Sequence, residues 1–71
     1  MADLAERIES DFTYHPPKGD QTSRYELLRA SAKTFALDIV AHTPPSREQS
    51  SALTNLEQAV MWANAAIARN E

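Results

Sequence analysis

Nine consecutive residues, Phe12 to Asp20, hold most of what this chain could use for chemistry: two aromatic rings, a histidine, a lysine, a proline pair and the only glycine. An aromatic face can stack on a nucleobase, and a neighbouring cation can hold a phosphate. Pro16 and Pro17 stiffen the stretch, because each ring fixes its own φ and biases the preceding residue toward extended backbone. The types and spacing suit a grip for a small anionic aromatic ligand. They also suit a second arrangement, a linker whose Phe12 and Tyr14 plug the end of a helix bundle, since aromatics are core residues first.

Other chemistry is sparse. His15 and His42 fall at opposite ends of the helical region, and with no cysteine in the chain a zinc site lacks further ligands. His42 reads as a helix C-terminal cation or hydrogen-bond donor. There is no nucleophile–base pair and no glycine-rich phosphate loop, and Gly19 alone reads as a turn residue. Glu48 and Glu57 read as solvated residues of a polar face. The expectation is no enzyme, no metal and no cofactor.

The elements that must position the loop are helices. Prolines occur only as Pro16-Pro17 and Pro44-Pro45, and they divide the 71 residues into three segments. Residues 1–11 form a short amphipathic helix with Leu4, Ile8 and Phe12 every fourth position, too short to be stable in water unless it docks. Residues 12–20 are the loop. Residues 21–42 form a second helix, with Asp20 as N-cap or Ser23 and Glu26 as a slightly later capping box. Its apolar stripe is Tyr25, Leu28, Ala32, Phe35 and Ile39. Residues 46–70 form a third helix opened by a Ser46–Gln49 capping box, with the stripe Leu53, Leu56, Val60, Ala63 and Ile67. Two matched stripes across a short turn specify an antiparallel hairpin.

Length allows one domain, residues 1–71, at the low edge of independent stability. A net charge of −3, from ten acidic and seven basic side chains, argues against a general nucleic-acid coat. No apolar run spans a bilayer and no basic-then-apolar leader is present, so the chain reads as cytosolic, with no DNA and no membrane partner.

The hairpin carries more apolar surface than it can bury. Leu27, Ala36, Leu37 and Val40 on the second helix, and Ala52, Ala59, Met61, Trp62 and Ala66 on the third, lie off the stripes. Self-association is the natural resolution. If the turn centres near residue 44, residue 20 falls beside 68 and residue 24 beside 64. The loop then sits at the open end of the hairpin, where Lys18, Arg24, Arg29 and Arg69 gather with Asn64 and Asn70. Each arginine alone could be merely solvated; with Tyr14 and Lys18 the cluster gains weight.

The segments FTYHPPKGDQ, PPSREQS and ALTNLEQAVMWANAAIARN resemble the small phage proteins that sequester cyclic oligonucleotide signals, the anti-CBASS sponges. Their helical-hairpin domain is shared with anti-Thoeris sponges that capture cyclic ADP-ribose isomers. The likeness runs from Phe12 to Asn70. It implies an all-α compact homo-oligomer, a hexamer, in the cytoplasm of the infected bacterial host. It implies tight binding without cleavage of cyclic oligonucleotides, foremost 3′,3′-cyclic dinucleotides between protomers, with cyclic trinucleotides at separate sites in some members.

The family's loop tyrosine, which stacks on a base, corresponds to Tyr14. Its basic residue early in the second helix corresponds to Arg29, with Arg24 the rival, where the family carries lysine. Its arginine late in the third helix corresponds to Arg69. His15, Lys18 and Asn64 join the candidate site from the residue reading alone. Other readings are a sponge for cyclic ADP-ribose-type signals and a purely structural helical interaction module. A DNA-binding antirepressor is disfavoured by charge and by the lack of a basic recognition helix.

Overall fold

The computed structural model of the chain describes residues 3–71. Three helices and no strand occur among them, in the order α1 (Leu4–Asp11), α2 (Gln21–His42) and α3 (Arg47–Asn70). The all-helical hairpin is as the patterning implies. α1 starts where the Asp3 carboxylate accepts from the Ala5 N–H at 3.3 Å, and it ends with the Phe12 N–H on Ile8 C=O at 3.0 Å. α3 starts on Ser46, whose hydroxyl accepts the Gln49 N–H at 3.1 Å. The Gln49 amide then reaches back to Thr43 C=O and Oγ1, both at 3.1 Å, and so ties the two helices across the turn. His42 donates from Nδ1 to Asp38 C=O at 2.8 Å, the C-terminal helix donor expected of it.

Three expectations are corrected. Asp20 occupies the N-cap position of α2 but makes no capping bond, because its carboxylate turns to Arg24, 3.2 Å away. α2 already starts at Gln21, which leaves no place for a Ser23–Glu26 box. In the α2 seam Ala36 is half-buried where Phe35 was expected, and Phe35 faces outward; Tyr25, Leu28, Ala32 and Ile39 do face α3, as do Leu53, Leu56, Val60, Ala63 and Ile67 from the other side.

The register is corrected as well: Arg29 shares a hollow with Asn64 and Arg24 reaches Glu71, whereas a pairing centred on residue 44 sets 29 beside 59 and 24 beside 64. Thr43 and Ser46 are extended. Extended residues advance ~3.3 Å each against ~1.5 Å in a helix, so the connection carries the chain past the end of α2 before α3 begins.

Among the described residues no apolar side chain is buried; Gln21 alone is, at 4 % exposure. The molecule measures 44 × 27 × 18 Å, with a radius of gyration of 15.4 Å. A compact chain of this length would have about 11 Å. Its accessible surface is 5803 Å², whereas a folded monomer of this mass exposes roughly 4,400 Å². Leu27, Leu37, Val40, Met61 and Trp62 stand on the outside of the hairpin, and Leu4 and Ile8 on the outside of α1. None of the helices is long and apolar enough to cross a membrane.

Candidate functional site

The loop is held at both ends. On the α1 side, the His15 ring donates from Nε2 to Ser10 C=O at 2.8 Å, and the Thr13 hydroxyl donates to Glu9 C=O. On the α2 side, Gly19 takes φ +58°, the left-handed region open to glycine, in a turn closed by the Gln21 N–H on Lys18 C=O at 3.1 Å. The buried Gln21 amide then accepts the Lys18 N–H at 3.1 Å and donates to Glu71 Oε1 at 3.2 Å.

Glu71 is the hub of this closure. Lys18 Nζ donates to its backbone C=O at 2.7 Å, and the Arg24 guanidinium grips both carboxylate oxygens, at 2.8 Å to Oε2. The Arg24 hydrogen bonds, followed by that from Gln21, hold the Glu71 carboxyl at about 2, well below the usual carboxylate range, and the same pairing pushes the Arg24 pKa further up. Lys18 therefore fastens the loop, and Arg24 the first turns of α2, to the end of α3.

Pinned this way, the loop presents Tyr14 outward. The ring is 80 % exposed and Phe12 is 85 % exposed, so neither plugs the end of the chain's own hairpin. Tyr14 and His15 line an open hollow of about 430 Å³ with Arg29 and Tyr25 from α2 and Asn64, Ala65, Ala68 and Arg69 from α3. Five sequence-predicted residues thus meet in one place: Tyr14, His15, Arg29, Asn64 and Arg69. Lys18 lines an adjoining hollow with Gln21 and Glu71, which shares His15 and Arg69 with the first, while Arg24 lines neither.

The sequence reading missed Asp11 and Tyr25 as members of the hollow. Asp11 closes its α1 side, with Oδ1 3.6 Å from Arg69 and Oδ2 3.7 Å from Arg7. Arg29 enters no ion pair among the described residues. Asn64 Oδ1 is buried there without a hydrogen-bond partner among the described residues. The wall can stack a flat ring on Tyr14 and hold an anion between Arg29 and Arg69. No group of three or more metal-ligating side chains occurs among the described residues.

The family described as Acb2/Tad1, hairpin domain, matches residues 4–68, and the chain belongs to it. It is the family to which the loop, turn and α3 motifs pointed. No curated protein and no solved structure matches the chain.

Proposed function

We propose that this member of the Acb2/Tad1 hairpin family is a sponge that binds cyclic oligonucleotide second messengers, cyclic dinucleotides first among them, and withholds them without cleaving them. Acting in the cytoplasm of an infected bacterium, it would blunt CBASS defence signalling. The observation that carries the reading is the convergence of an outward Tyr14 with Arg29 and Arg69 on one open hollow. A cyclic dinucleotide brings two base faces and two phosphate charges. Stacking is worth ~1–3 kcal/mol per base and a charge-assisted contact ~1.5–3 kcal/mol, so a doubled set reaches nanomolar affinity.

Doubling requires a second protomer. The roughly 1,400 Å² of surface beyond that of a compact monomer exceeds the ~800 Å² per partner of a standard interface, which supports a homo-oligomer, a hexamer in the full reading. An open, shallow hollow on each protomer then becomes half of a composite pocket.

The test is titration against 3′,3′-cyclic dinucleotides, a cyclic trinucleotide, cyclic ADP-ribose and short DNA, with light scattering alongside. The expected result is nanomolar binding of a cyclic dinucleotide by a particle well above 7.9 kDa, and release of intact ligand on denaturation. A linear product would make the protein an enzyme. Binding of cyclic ADP-ribose alone would move it to the other messenger class of the family. A ligand-free, well-folded monomer would sink both sponge readings and leave a structural helical module.

A further inference from the structure

We propose that Asp11 is an internal counter-anion: it pairs with Arg69 at the wall of the hollow and keeps simple anions from filling the site. The natural ligand it acts on rests on the sponge reading above; the observations that single it out do not. Asp11 is the last residue of α1, where the negative pole of the helix disfavours a carboxylate, and the last turn of α1 has no basic residue to offset it. One local partner lies a turn back, Arg7 at the i−4 position, with Nε 3.7 Å from Oδ2. The second partner is distant in sequence: Arg69 Nη1 at the end of α3 lies 3.6 Å from Oδ1. The carboxylate is half-buried and lines the same hollow as Tyr14, Arg29 and Arg69.

The charge of the hollow follows. Two guanidiniums and one carboxylate line it, and the carboxylate, shared between Arg69 and Arg7, offsets part of the positive charge at Arg69. The contact is a loose one at the edge of ion-pair distance, of the kind worth little in stability. An incoming phosphate at Arg69 displaces it readily but still meets the carboxylate at close range, well inside the ~8 Å screening length. An anion with nothing else to offer gains little from such a site. A ligand that also stacks on Tyr14 and reaches Arg29 supplies the difference. Asp11 thus makes occupancy depend on the aromatic part of the ligand as well as on its charge.

The experiment titrates pyrophosphate, an anion with no base to stack, and a 3′,3′-cyclic dinucleotide into the full chain, Asp11→Asn and Asp11→Asn/Arg69→Gln. Melting temperature and particle mass are checked for each, and Asp11→Ser is a second variant should Asn fold poorly. Neutralising Asp11 should tighten pyrophosphate binding by roughly fivefold at low salt, with the gain shrinking toward about 0.5 M NaCl. The cyclic dinucleotide should gain less in proportion, and both gains should vanish without Arg69. Unchanged or weaker pyrophosphate binding by a folded Asp11 variant overturns the proposal and makes Asp11 a residue that orients Arg69. A gain that survives Arg69→Gln overturns it as well. If the wild-type chain ignores cyclic dinucleotides, the sponge reading fails while the pyrophosphate arm still decides the role of Asp11.

Discussion

The two ends of the hairpin are built on opposite plans. The closed end is made of neighbours: Ser46 caps with Gln49, Gln49 returns to Thr43, Thr43 donates to Ile39 C=O, and His42 to Asp38 C=O, all within six residues. The open end is made of strangers in sequence: Lys18, Gln21 and Arg24 meet Glu71, and Asp11 meets Arg69. The closed end is complete within one chain. The open end leaves an aromatic ring facing outward, and an exposed Arg29 that has no ion pair among the described residues. Local bonds cost little chain entropy and finish a turn; distant bonds fix a loop against a far helix and present its side chains. The contrast separates the part of the molecule that only has to fold from the part that has a surface to offer.

The largest expected effect removes both ends together. Val60 sits half-buried midway along the α2–α3 seam. Val60→Glu places a charge where the helices touch and should cost ~3 kcal/mol or more, enough to unfold so small a chain or to split the proposed oligomer. Circular dichroism and light scattering read the outcome. A folded variant of unchanged mass and melting temperature would mean that the seam does not hold the hairpin.

Next comes the open end alone. Tyr14→Ala should weaken cyclic-dinucleotide binding by tenfold or more, as the ~1–3 kcal/mol of stacking is lost at each half of a doubled site. With the ring 80 % exposed in the protomer, melting temperature should hardly move. Arg29→Ala should weaken binding comparably and flatten its salt dependence. A large fall in melting temperature with affinity unchanged in the folded fraction would make Tyr14 an interface plug and place the ligand elsewhere.

The same contrast explains what was legible in the sequence. Helix identity, the Ser46 cap and the role of His42 depend on spacings of three and four, which can be counted along a chain. Tyr14, Arg29, Asn64 and Arg69 could be brought together once two stripes implied an antiparallel pair. The register could not be counted, since it hangs on how far two extended residues carry the chain past α2. Gln21 and Glu71 left no local trace: a glutamine one residue into a helix and a glutamate at a helix end look solvated until placed against each other. Asp11 did leave a sign, an acid at the wrong pole of its helix. Phe35 and Ala36 exchanged places because apolar and polar residues alike are spread around α2, so its pattern names no single face.

A smaller effect isolates the closed end. Ser46→Ala removes the acceptor for the Gln49 N–H, and an N-cap of this type is worth ~1 kcal/mol. That corresponds to a fall of ~4–8 °C in a domain of this size. Ligand affinity should be untouched, since the turn lies at the far end from the hollow. A parallel loss of affinity would show that the two ends are coupled through the helices.

The smallest effect belongs to the clasp, and pH reveals it. Glu71 is held at about 2 against an ordinary value of 4.5, chiefly by Arg24, so its folded form favours the ionised carboxylate. A carboxyl depressed on folding contributes stability that is fully present above its unfolded pKa. That contribution is lost as pH falls through the folded one. Arg24 stays charged throughout, so only the Glu71 side of the pair titrates. The comparison is the difference in melting temperature between the wild-type chain and Glu71→Gln, which removes the charge but keeps the shape. It should be constant from pH 7 down to about 5, shrink between about 4.5 and 2, and vanish below. Both partners are partly exposed, so the plateau should be only a few degrees and should fall further in high salt. A difference that ignores pH over this window would mean that Glu71 holds the loop through shape and its backbone carbonyl to Lys18, with its charge contributing nothing.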